Sequence, residues 1–189
     1  KGSNMCIMFN KEIMDALGIT QADVQTEDGF YAACEKVKTS GYQVDGQSVL
    51  PVVLQCNLWI NSSLDGIVAW NFGAVPVDEN GNYRHTELSP GYKNGLKFLN
   101  NLVQDGYLDA NTLTIDETAL KTYLDAKRVF CWIGNQAQQD KTNMPWVSFG
   151  PILASNGARP AMPVNQSAGT GWIQTLVSKD CKNPEKIAK

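Results

Sequence analysis

Apolar residues in this chain recur at two different periods, and the changes of period mark out its elements. Between Pro90 and Gly106 the helical period holds, with Tyr92, Leu96, Leu99 and Val103 on one face. Ser89 precedes that run as an N-cap and Pro90 suits its first turn. Gly106 follows it as a residue able to take left-handed backbone just past the helix end. Thr114 with Glu117 reads as a capping box for a second helix reaching Asp125. Arg128 to Ile133 is then an apolar run of strand length, with Gly134 and Asn135 at its exit opening a third helix.

The same punctuation extends in both directions. Asn4 to Phe9 reads as a strand, followed by a short helix that runs to Leu17 and stops at Gly18. Thr26 caps a helix from Glu27 to about Ser40, whose apolar face carries Phe30, Ala33, Cys34 and Val37. Gly29 sits inside it where a better helix former is expected. Leu50 to Leu54 is a buried-type strand, and Ile60, Leu64, Ile67 and Val68 share a face of the helix after it. Trp70-Asn71-Phe72-Gly73 ends that helix. Asn80-Gly81, between short extended runs, predicts a hairpin over Val75 to Tyr83. Trp146 to Leu153 and Gly169 to Val177 read as further strands. Strands alternating with helices give an α/β fold.

Composition narrows the classes. With 189 residues and 43% hydrophobic content the chain can bury one sizeable core or two small ones. A net charge of −3, with both signs interspersed, argues against a nucleic-acid partner, because phosphate binding needs a basic patch. No apolar run approaches the roughly 18 residues of a membrane helix. The five cysteines form no CxxC pair, and an odd count cannot pair fully. Cys34, on a helix face, and Cys131, inside a strand, read as small buried hydrophobes. His85, the only histidine, lies on a polar stretch just past the hairpin and reads as solvated surface. No phosphate loop, metal-ligand grouping or facing carboxylate pair is present, so the sequence implies neither a cofactor nor catalysis. Of the tempting carboxylates Asp65, Asp116, Glu117 and Asp125, Glu117 reads as a capping residue and Asp65 as helix surface, and no spacing pairs two of the four in a cleft.

The order of motifs resembles the second lobe of extracellular solute-binding proteins, the maltose-binding-protein-like sugar receptors of ABC importers. The family's "G…GL.FL..L…G" helix is matched by Gly91 to Gly106, its polar link and short helix by Asp109 to Asp125, and its "KG.AAM…G.W" strand-to-helix step by Ala126 to Gly134. The opening "FNKEIMDALGI…TEDGFYAACEKVK" is similar to the family's way into that lobe, without its usual Pro before Thr26. Arg128 stands where a small residue is usual, and Gln136 where some members carry a sugar-stacking Trp.

The resemblance implies a periplasmic-binding-protein-like lobe, a small mixed β-sheet flanked by helices. Residues 1–147 would form the second lobe and 148–189 a crossover into a partial first lobe. Both chain ends look cut, which implies a missing N-terminal lobe and C-terminal tail. The implied activity is non-catalytic capture of an extracellular or periplasmic carbohydrate by a monomer that hands it to ABC permease subunits. Membrane attachment would come only through a missing N-terminal lipoprotein anchor. In open α/β sheets ligands bind at the carboxyl ends of strands. That rule and the resemblance together single out Asn57 and Trp59 after Leu54, and Asn135 and Gln136 after Ile133. Trp59 would cover the C–H face of a pyranose, and the amides would offer paired donors and acceptors to hydroxyls. Trp70, at a helix end, and Trp172, following Gly169-Thr170-Gly171, complete the candidate set. The alternatives are a lobe for a peptide or polyamine, and a carbohydrate-active enzyme. The first lacks a cluster of acids near Trp59 and Gln136, and the second lacks its two acids.

Overall fold

The computed structural model describes residues 5–54, 68–135, 145–161 and 179–182. Its centre is a four-stranded mixed sheet in the order β4-β5-β1-β6, formed by β1 (Met5–Asn10), β4 (Leu50–Leu54), β5 (Val129–Asn135) and β6 (Trp146–Val147). β1 runs antiparallel to β5, from Met5↔Asn135 to Phe9↔Cys131, and antiparallel to β6 through Phe9↔Val147. β4 runs parallel to β5, from Leu50↔Val129 to Leu54↔Ile133. A separate two-stranded hairpin, β2 (Gln43–Val44) and β3 (Gln47–Ser48), leads into β4.

Alternation along the strands fills both faces of the sheet. Ile7 and Phe9 of β1, Val52 and Leu54 of β4, and Cys131 and Ile133 of β5 face one layer of helices. That layer holds α3 (Glu27–Thr39), through Phe30, Ala33, Cys34 and Val37, and α5 (Pro90–Gln104), through Phe98, Leu99 and Leu102. Met8, Val53 and Trp132 face the other side, where Leu120 and Leu124 of α6 (Glu117–Asp125) cover them. Full burial of Cys34 and Cys131 puts both in the core expected of them, and burial pushes the Cys131 thiol well above its ordinary range. Among the described residues no helix is long and apolar enough to cross a membrane.

Caps set the helix boundaries. Asn10, fully buried, accepts from the backbone N–H groups of Glu12 (3.0 Å) and Ile13 (3.3 Å) to start α1 (Lys11–Leu17), and donates to the Lys127 carbonyl at 3.1 Å. Gly18 ends α1 at φ 59°. The short α2 (Gln21–Val24) follows, then Thr26 caps α3 by accepting from the Gly29 N–H at 3.2 Å. Ser89 caps α5 by accepting from the Tyr92 N–H at 3.2 Å, and Gly106 follows that helix at φ 68°.

Four expectations are corrected. The cap of α6 is Asp116, which accepts from the Ala119 N–H at 2.8 Å; Thr114 instead closes the 3₁₀ turn Ala110–Leu113 before it. The buried face of α5 is Gly91, Gly95, Phe98, Leu99 and Leu102, so Leu96 is left 45% exposed: glycines, which carry no apolar signal, mark the closest approach. The Asn80-Gly81 turn is closed by a single antiparallel bridge, Val77↔Tyr83, rather than by paired strands. The run from Trp146 pairs only to Val147, because Gly150 adopts φ 94° and Pro151 has no N–H to give a ladder. Beyond it the chain still packs on the same core. Ile152 and Ala154 are buried there, and Leu153 forms a bridge with Thr26.

Candidate functional site

Parallel pairing makes β4 and β5 finish side by side. With Leu54 opposite Ile133, the chain leaves both strands at one edge of the sheet, and β1 begins at that edge because Met5 pairs with Asn135. The register thus brings the exits of β4 and β5 side by side. β5 continues through Asn135 rather than ending at Ile133, so Asn135 is a strand residue. Its backbone is placed, but its side chain lies outside the described residues. Asn57, Trp59, Gln136 and Trp172 also lie outside the described residues, as do the helix expected around Ile60 and the strand expected from Gly169.

Trp70 is described. It belongs to the short helix α4 (Ala69–Asn71), which packs on the first turns of α5, where a Cβ at Gly95 would stand 3.0 Å from the Ala69 Cα. Its indole N–H is buried and has no hydrogen-bond partner among the described residues. Its carbonyl accepts from the Gly73 N–H at 3.0 Å and the Ala161 N–H at 2.8 Å, tying the helix end to the segment after β6. Phe72, the next aromatic, is a core plug with its ring 5.3 Å from that of Phe98. Trp132 is fully buried, and Trp146 meets its ring edge-on at 6.0 Å.

A polar groove of about 810 Å³ adjoins α4. Its walls are the Asp78–Asn80 turn, Arg84, Asn94 on the first turns of α5, and residues 156–161. A second recess of about 400 Å³ continues from Asn94 and Asn156 along α5 to Lys97, Asn101 and Glu27. Backbone contacts hold these walls. Glu27 accepts from the Ser155 N–H, Arg84 N–H donates to the Pro76 carbonyl at 2.8 Å, and Asp78 accepts from the N–H groups of Asn80 and Asn82. Those bonds, led by the one from Asn82, hold the Asp78 carboxyl below its usual range. The groove lies at the N-terminal end of α5, and the second recess reaches the N-terminal end of α3 at Glu27. Tyr31 donates to the Phe98 carbonyl and Lys38 to that of Asp105, two pairs with the same separation of 67 residues, so the two helices run parallel. The sequence reading passes over this groove. Its only local signal is a pair of Asn-Gly steps, Asn80-Gly81 and Asn156-Gly157, which marks turns and not their meeting.

Of the tempting acids, Asp116 is a cap and Asp125 pairs with Lys121 at 2.7 Å on the surface. His85 is exposed, its ring edge-on to Tyr83 at 6.0 Å. Among the described residues no group of three or more His, Cys, Asp or Glu could hold a metal ion.

No protein-family model and no curated protein matches the chain. Solved structures do. The S. pneumoniae ABC-transporter substrate-binding protein FusA, in complex with kestose, superposes with a TM-score of 0.69 at 17% identity over 86% of this chain and 34% of its own. An HMO-binding, ABC-transporter-associated solute-binding protein from Bifidobacterium longum infantis gives 0.67 at 18%, covering 82% and 34%. Maltose-bound T. maritima MalE3 gives 0.61 at 15%, covering 82% and 40%. Over most of its length the chain shares the α/β fold of part of these proteins. It spans between a third and two-fifths of the length of these neighbours.

Proposed function

We propose that this chain is one lobe of a two-lobe receptor that captures an extracellular carbohydrate and passes it, without chemistry, to an ABC permease. The observation that carries the reading is the parallel register of β4 and β5, which brings two strand exits to one edge. The chain segments that follow those exits carry Asn57 and Trp59 in one case and Gln136 in the other, with Asn135 as the last strand residue. An aromatic face beside amides is the chemistry that suits a pyranose, whose C–H face is apolar and whose hydroxyls need paired donors and acceptors. Trp70 and Trp172 are assigned to the same sugar surface. The sugars in the neighbours' complexes, kestose and maltose, support a di- or oligosaccharide as the ligand class.

In this reading residues 1–147 form the body of the lobe, and the segment from 148 leads out of it only after Ile152 and Ala154 have packed on its core. A ligand held between two lobes shifts the receptor towards its closed state by the contacts made only there. One lobe supplies about half of those contacts, so the 189-residue chain alone should bind sugar too weakly to measure. The receptor works as a monomer outside the cytoplasm. Calorimetric titration of the chain and of the full-length protein with a panel of di- to tetrasaccharides tests this. Micromolar binding by the full-length protein with none by the chain is expected; millimolar or tighter binding by the chain alone overturns it.

A further inference from the structure

No further inference is drawn: the strongest candidate, the polar groove of about 810 Å³ between the Asp78–Asn80 turn, the first turns of α5 and residues 156–161, carries nothing because nothing in the structure shows what fills it.

Discussion

Replacing Gly29 with Ala should destabilise the protein, although helix propensity argues the opposite. Gly29 lies inside α3, where Ala is favoured over Gly by about 1 kcal/mol. A Cβ built at Gly29 would stand 2.5 Å from the Asp23 carbonyl oxygen and 2.9 Å from the Thr26 Oγ1. The first contact is with the backbone of α2, which cannot swing aside as a flexible side chain can. Overpacking of this kind costs about 1–3 kcal/mol. The second contact strains the cap, in which Thr26 accepts from the Gly29 N–H at 3.2 Å, and loss of such a cap costs about 1 kcal/mol. Set against the propensity gain, the net loss is about 1–3 kcal/mol, which for a chain of this length lowers the melting temperature by roughly 2–12 °C. Thermal and urea melts of Gly29→Ala beside Thr26→Ala separate the clash from the cap. A Gly29→Ala protein that melts at or above the wild-type temperature would refute the claim that α2 and α3 approach each other through this glycine.

Asn10→Ala removes the cap of α1 and leaves the Lys127 carbonyl without its donor, so a loss of about 2–4 kcal/mol is expected in urea denaturation. A loss under about 0.5 kcal/mol would mean that the buried amide is not the link between α1 and the turn before β5. Tyr107 donates to the Glu35 carboxylate at 2.8 Å, and that bond, ahead of burial, raises its phenol to about 12. A folded value above the unfolded one means that the stabilisation is present below pH ~10 and fades as pH rises through about 12. In an absorbance titration at alkaline pH, Glu35→Gln should bring one tyrosine transition down towards the ordinary value; an unchanged titration curve contradicts the assignment.

The strands β1, β4 and β5 and several helix caps were legible in the sequence because each has a local cause. Ser89, Thr26, Gly18 and Gly106 act within one turn of themselves, and they behave as their chemistry requires. Of the corrected points, the face of α5 depends on partners distant in the chain, and the cap of α6 on a neighbouring turn. Gly91 and Gly95 form the buried face of α5 because Phe72, Ala74 and Ala69 press against them, and no periodicity of apolar residues reports such a contact. Asp116 displaces Thr114 as the cap because the 3₁₀ turn before it uses Thr114 first. The candidate site was legible only as two strand exits. That they meet follows from the parallel pairing of β4 with β5, a long-range fact that neither run of residues contains. The groove beside α4 needs three separate turns to come together, so the sequence held its residues but not their meeting.

The central claim is that the edge where β4 and β5 finish belongs to a carbohydrate-binding surface. Calorimetric titration of the full-length protein and its Trp59→Ala and Gln136→Ala variants with the oligosaccharide that binds best tests it most directly. Truncating a stacked aromatic anchor at a binding surface costs about 2 kcal/mol or more, so Trp59→Ala should weaken affinity at least tenfold, and Gln136→Ala should weaken it by less, with melting temperatures unchanged. Wild-type affinity in both variants would contradict the account.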